Sequence, residues 1–386
     1  MDQFVLESGY AALNKHGEML CGDHREILCG EGRTTAVLSD GLGSGVKANI
    51  LATLTSKMLA TLLRKHVPID EAIETVADTL PMCRERRLAY ATFTALELED
   101  GIAYLAQYDN PRAILLRGGK SVDYPARVRY VAEKEISESR IPLQEGDVIV
   151  LMTDGVTNAG VGKASPHGWP RAEVAKLLEA VWTPDASAQY LAATVAGAAH
   201  ALALDAPDDD ITVLAFRYRA RRAVSMMIGP PEHESDDDRV LRQFFAKEGA
   251  HVVCGGTTAT LVAGYLGREL VTQIETQTAE APAIASIEGV DLVTEGVITL
   301  RQVVENAERL LENGMSVLEL HGRQDGPARL SRLLFEQATD LSIFFGTAVN
   351  PAHDALDIDF QSKLALVKQL AELLEQMGKR VKLSLC

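Results

Sequence analysis

Three aspartates stand where apolar strands end or begin. Asp40 closes TTAVLSD, Asp154 closes VIVLMTD, and Asp209, with Asp210 behind it, precedes ITVLAF. Asp40 and Asp154 are each followed at once by glycine. One Asp-Gly is an ordinary turn former. Three acidic strand ends within some 220 residues ask for more. If packing gathers them, several carboxylates share one small volume, and their repulsion is relieved by raised pKa values or by bound cations. Cations are the simpler relief. Hard divalent ions take oxygen ligands, and Mg²⁺ keeps several waters while using only a few carboxylates, so no histidine or cysteine is required. Two such ions about 4 Å apart hold a bridging water, lower its pKa and clamp both oxygens of an in-line displacement at phosphorus. The chemistry that suits the pattern is hydrolysis of a phosphate ester.

The elements that must position these residues read as follows. LELEDGIAYLA and ILLRGGKSVDY each carry two apolar runs around a tight-turn dipeptide, Asp100-Gly101 and Gly118-Gly119, which predicts antiparallel hairpins. Leu51, Leu54, Met58 and Leu62 recur at helical spacing from about Val46 to Arg64, and a second helix is expected over Asp70 to Leu80. A strand at DVIVLMTDG, helices over 171–182 and 186–204, and a closing strand ITVLAFRY complete a first domain over residues 1–220. Strands and helices that cluster without alternating predict an α+β layered fold. After the basic run Arg219, Arg221 and Arg222 the pattern changes. VSMMIG, HVVC, LVTQIE, LSIFFG and RVKLSLC read as short buried strands, with helices between them over 237–247, 258–266, 299–312, 328–337 and 360–377. That alternation predicts a second, α/β domain over 223–386 with a mostly parallel, doubly wound sheet.

Composition narrows the partners. A formal charge of −16 disfavours nucleic acid and anionic membrane surfaces, since neutralising phosphates needs clustered Lys and Arg. No apolar run reaches transmembrane length and the opening residues lack the basic-then-apolar plan of a signal peptide, so a cytoplasmic protein is expected. The five cysteines, Cys21, Cys29, Cys83, Cys254 and Cys386, form no CxxC pair and fit reduced thiols.

The ordered pieces Gly22-Asp23, SDGLGSG from Ser39, YATFTALELEDG from Tyr90, YDNPRAILLRGG from Tyr108, LQEGDVIVLMTDGVTNA from Leu143 and PDDDITVLAFR from Pro207 resemble the type 2C metal-dependent Ser/Thr protein phosphatases. Within that superfamily they are most similar to the bacterial branch typified by the sporulation stage II protein E phosphatase. The resemblance implies a sandwich of two antiparallel sheets flanked by helices, an αββα fold. It implies two divalent ions, Mn²⁺ or Mg²⁺, with Asp40 bridging them, the Gly41 carbonyl as a further ligand, Asp154 and Asp209 on one ion, and Asp23 acting through the other or its waters. Asp208 and Asp210 stay ambiguous. Gly41 would then let its carbonyl approach the metal, while Gly43 and Gly45 turn the chain into a helix. The chain departs from eukaryotic members in two places: Leu42 stands where they carry an acid His, and no Arg lies between Lys15 and Cys21. His24 and Arg25 adjoin Asp23 and stand either as substitutes for that His and Arg or, as the simpler reading, as residues of a solvated loop. Asn110, Arg112, Thr157 and Asn158 stand as substrate contacts or as turn chemistry.

In the second domain, HVVCGGTTATLVAGYLG places Gly255, Gly256, Thr257 and Thr258 between a strand and a helix, either an anion site or a tight turn with Thr258 as N-cap. Gly229-Pro230-Pro231, Gly346 to His353, and Thr294 with Glu295 are expected to border the same crevice. The expected function is a metal-dependent phosphoserine/phosphothreonine phosphatase acting on a regulatory protein of the anti-sigma-factor-antagonist type. A small ligand on the second domain and a homodimer are further expectations. A catalytically silent scaffold and a small-molecule phosphatase are the alternatives.

Overall fold

A computed structural model describes residues 3–30, 32–79, 91–132, 134–348 and 360–386. Its contacts divide the chain into two units, Met1–Ala220 with Asn313–Met315, and Arg221–Glu312 with Ser316–Cys386. Tyr90, Leu80, Cys83 and the stretch from Asn350 to His353 lie outside the described residues.

In chain order the first unit holds β1 (Phe4–Leu13), β2 (Asp23–Gly30), β3 (Arg33–Asp40), α1 (Gly45–Arg64), α2 (Ile69–Thr79), β4 (Thr92–Glu99), β5 (Ile102–Tyr108), β6 (Ile114–Arg117), β7 (Lys120–Val122), β8 (Arg127–Val131), β9 (Lys134–Pro142), β10 (Val148–Met152), the single turn α3 (Asp154–Thr157), α4 (Arg171–Val181), α5 (Ala188–Leu202) and β11 (Ile211–Ala220). They form two antiparallel sheets, ordered β1-β11-β10-β6-β7 and β2-β3-β4-β5-β9-β8. Alternation along the strands sorts the side chains into layers. Leu38, Leu96 and Leu105 of one sheet meet Leu115, Leu214 and Phe216 of the other in the central core. On the outer face, Val37, Phe93 and Ala95 pack on Leu59, Leu63 and Ile73 of α1 and α2. α5 covers the other sheet with alanines, and Gly9 of β1 lets it approach: a Cβ there would lie 2.2 Å from the Ala188 carbonyl carbon. Both expected hairpins form, with Asp100, Gly101, Gly118 and Gly119 all at positive φ, as tight turns of matching twist require.

The second unit holds β12 (Ala223–Ile228), α6 (Asp237–Phe245), β13 (Ala250–Cys254), α7 (Gly256–Leu266), β14 (Val271–Gln273), β15 (Ile284–Ile287), β16 (Val290–Thr294), α8 (Val297–Asn313), α9 (Val317–His321), α10 (Gly326–Arg332), β17 (Asp340–Phe345), α11 (Phe360–Gln376) and β18 (Arg380–Leu385). Its sheet runs β14-β15-β16-β13-β12-β17-β18. From β16 to β18 the neighbours are parallel. β14 and β15 are added antiparallel, so the sheet is mixed. The expectation of a mostly parallel sheet thus needs correcting at one edge. LVTQIE contributes only three strand residues, and Val271 is exposed, because an edge strand has one neighbour and little cover. The β15–β16 hairpin was not foreseen, its strands being too short to show a period. Among the described residues no helix is long and apolar enough to cross a membrane.

Candidate active site

Asp23 and Asp40 are Cα partners across β2 and β3, so both carboxylates leave the sheet on one face. That face is the one on which Leu38 and Ile27 meet the second sheet. From the second sheet, β10 ends at Met152 opposite Val213 of β11, which sets Thr153-Asp154 and Asp209-Asp210 side by side. A hydroxyl joins the two sheets: Thr153 Oγ1 donates to Asp23 Oδ2 at 2.9 Å and accepts the Thr212 N–H at 3.2 Å. Thr153 is fully buried and Asp23 nearly so.

The consequence is electrostatic. Burial, reinforced by the charge of Asp40, holds Asp23 well above the usual carboxylate range, against the hydroxyl bonds from Thr212 and Thr153 that lower it. Burial and the charges of Asp154 and Asp209 push Asp40 up to about 8. Asp209 is raised by burial too, with Asp154 adding to it. Among the described residues none of Asp23, Asp40, Asp154 and Asp209 forms an ion pair; the pair at this edge, Lys163 with Asp208 at 2.8 Å, uses an aspartate whose side chain is 73% exposed. Buried like charges without a cation are the donor set that hard divalent ions complement. Among the described residues no three His, Cys, Asp or Glu side chains close tightly around one point.

The run Asp208-Asp209-Asp210 sorts itself by burial. Asp210, 3% exposed, accepts the backbone N–H groups of Lys15 at 2.9 Å and Gly22 at 2.8 Å, and so ties the loop before β2 to the start of β11. Asp208 faces solvent with Lys163. Asp209 lies between them, one oxygen taking the N–H of Asp210 at 3.0 Å. Asp154 is steadied by Asn158, whose side-chain amide donates to Oδ2 at 3.2 Å, while Thr157 Oγ1 donates to the Asp154 carbonyl at 3.1 Å. These two therefore hold the site together.

The glycines after Asp40 and Asp154 have a packing reason beside the one read from the sequence. A Cβ on Gly41 would stand 2.0 Å from the Ala48 carbonyl oxygen of α1, and one on Gly155 would stand 2.0 Å from the Asp210 carbonyl oxygen. Gly43 and Gly45 take positive φ, as the turn into α1 demands.

His24 and Arg25 are not in a solvated loop; both lie in β2. His24 emerges on the face opposite Asp23, its Nδ1 2.7 Å from Ser56 Oγ of α1, and burial lowers its pKa to about 4, so it is neutral at pH 7. Arg25 lies over the Tyr10 ring. Leu42 is 46% exposed. Asn110 reaches the strand end beside the carboxylates: it accepts from Thr92 Oγ1 at 2.5 Å, and Thr92 is the partner of Asp40. Arg112 instead bonds the Tyr124 carbonyl and stacks on its ring. Gly255, Gly256, Thr257 and Thr258 belong to the second unit and line a cavity there. Sequence reasoning missed Thr153 and Lys15. A threonine before an acidic strand end is a weak signal, and a backbone N–H carries none.

The family model described as Stage II sporulation protein E (SpoIIE) matches residues 30–219. Stage II sporulation protein E of Bacillus subtilis (strain 168) is 24% identical over 159 residues, 40% of this chain and 19% of that protein. The Stage II sporulation protein E of Priestia megaterium is 20% identical over 179 residues, 45% of this chain and 31% of that one. The chain thus spans a third or less of the length of these relatives. A solved phosphatase domain of SpoIIE from Bacillus subtilis is similar at 18% identity with a TM-score of 0.45, over 56% of this chain and 94% of that one. Over residues 30–219 the chain thus carries a segment similar to the SpoIIE phosphatases.

Proposed function

We propose that the first unit is a metal-dependent phosphatase that hydrolyses phosphoserine or phosphothreonine on a regulatory protein in bacterial signalling. The observation that carries this reading is the meeting of Asp23, Asp40, Asp154 and Asp209 at one edge of two sheets with no cationic side chain among the described residues paired to them, within a SpoIIE-like segment. Asp40 and the Gly41 carbonyl are the ligands we assign to a shared position, Asp154 and Asp209 to one ion, and Asp23 to the other or to its waters. Two divalent ions, Mn²⁺ or Mg²⁺, supply when bound an activated water and positive charge on the phosphoryl oxygens.

The chain's own residues do the positioning. Thr153 aims Asp23 from the opposite sheet. Asn158 fixes one oxygen of Asp154. Asp210 holds the Lys15–Gly22 loop against β11, which keeps Asp23 at its station. The neutral ring of His24 is turned toward α1, so no imidazole of this strand faces the carboxylates. An αββα layering suits this division, because each sheet delivers two carboxylates to the seam.

The test is release of phosphate from a phosphoserine peptide with and without Mn²⁺, for the wild type and Asp40→Asn. We expect turnover that needs the metal and disappears in the variant. Equal rates for the two proteins would remove the reading and favour a silent scaffold.

A further inference from the structure

The loops that follow four strands of the second unit enclose a cavity of about 320 Å³. Gly229 and Pro230 follow β12, Gly255 to Thr258 follow β13, Glu295 and Gly296 follow β16, and Gly346 follows β17. The parallel strand order places β13 and β16 on one side of β12 and β17 with β18 on the other. The chain therefore crosses over beside β12, and in open parallel sheets ligands enter at the carboxyl edge where the order reverses.

The cavity lining is of two kinds. Ile228, Val297, Phe345, Phe360 and Val367 supply apolar wall. Beside them α7 begins at Gly256, where nothing lies within 4 Å of a would-be Cβ, so its first turn is open to close approach. The amino end of a helix carries partial positive charge and N–H groups without intrahelical partners. Thr258 is 1% exposed and lines the cavity, yet its hydroxyl has no hydrogen-bond partner among the described residues, and Gly255, not Thr258, holds the N-cap position. Lys363 reaches the cavity from α11 and forms no ion pair or hydrogen bond among the described residues. Burial lowers its pKa, with Glu295 acting the other way. Glu295 itself is engaged, its Oε2 accepting the Ile298 and Thr299 N–H groups at 2.9 and 3.2 Å.

We infer that this cavity binds a compact organic phosphate, with the phosphoryl group between the first turn of α7, the Thr258 hydroxyl and Lys363, and a small apolar body against Phe345 and Phe360. A helix start that offers successive N–H groups, a hydroxyl and an ammonium suits a tetrahedral oxyanion. The volume lies at the small end of ligand sites, which suits a compact ligand.

The test is calorimetric titration of the full chain in EDTA with three probes: phenylphosphonate, whose P–C bond a phosphatase does not cleave, inorganic phosphate, and benzoate. We expect saturable one-site binding of phenylphosphonate, tighter than either other probe. Lys363→Gln should weaken it roughly tenfold or more and Thr258→Val by less, while Asp40→Asn leaves it unchanged. No saturable binding of phenylphosphonate, benzoate binding as tightly, or a loss in Asp40→Asn with none in Lys363→Gln would each overturn the assignment. Unchanged melting temperatures of the Lys363 and Thr258 variants keep the comparison clean.

Discussion

The acidic edge of the first unit and the cavity of the second are both assembled at strand ends, but the two kinds of sheet collect different groups there. In the antiparallel sandwich, neighbouring strands end side by side, so side chains meet: Asp23 opposite Asp40 on one sheet, Asp154 beside Asp209 on the other. In the parallel part of the second sheet, all strands leave at one edge and loops meet, so backbone N–H groups and glycines line the space. The first arrangement concentrates negative charge and calls for cations; the second presents a helix start, a hydroxyl and an ammonium and calls for an anion. A parallel sheet turns its helix starts toward ligands, whereas an antiparallel one pairs carboxylates that were far apart in the chain.

The largest effect that would break or sharpen this contrast is expected at Asp40. Asp40→Asn should lower metal-dependent phosphate release by about 10³-fold or more, since it removes the charge shared by both proposed ions. The same variant should change the metal-free fold in the opposite sense. Asp40 has a folded-state value of about 8, above its unfolded value, so the folded chain binds this proton more tightly. Stability from this group is present at low pH and is lost as pH rises from about 4 toward 8. Urea midpoints in EDTA should therefore fall between pH 5 and pH 8 in the wild type, fall less in Asp40→Asn, and recover in the wild type on adding Mn²⁺. A wild type as stable at pH 8 as at pH 5 would contradict the account of the buried charge.

Next comes Asp210→Ala, which leaves the part-buried Lys15 and buried Gly22 N–H groups without their acceptor. We expect a loss of about 2–4 kcal/mol in unfolding free energy by denaturant titration, with activity falling because the loop carrying Asp23 is released. The glycines separate two reasons for one motif. Gly41→Ala should both destabilise and inactivate, since its Cβ meets the Ala48 carbonyl. Gly43→Ala meets nothing and should cost about 1 kcal/mol for its positive φ, with turnover nearly intact. The smallest effect is expected for Asp208→Ala. Its pair with Lys163 is exposed, so stability should change by less than about 1 kcal/mol and turnover should hold. Asp208→Ala reducing turnover as far as Asp209→Ala would show that burial has mis-sorted the three aspartates.

Much of the acidic edge was legible before folding because local chemistry writes it. Asp100-Gly101 and Gly118-Gly119 demand positive φ and so announce hairpins; α1 forms where helical spacing placed it, although its buried face runs through Ala48, Ala52, Thr55, Leu59 and Leu63 and leaves Leu54 exposed; acidic residues at strand ends stand out against apolar runs. His24 and Arg25 were misread because a loop and the first turn of an edge strand look alike until β2 finds β3. Thr153 and Asp210 were unreadable for a different reason: each acts on a residue 130 to 195 positions away.

By itself the sequence determined which turns are tight, where the long helices run and where carboxylates stand along the chain, since these depend on neighbours a few residues off. Only the tertiary structure decided which of Asp208, Asp209 and Asp210 faces the seam, that His24 turns away from it, that the second sheet is mixed, and that Lys363 joins Thr258 at one cavity. Those outcomes depend on which faces pack against which, and that choice is made by burying apolar surface over the whole domain and not by any single stretch of it.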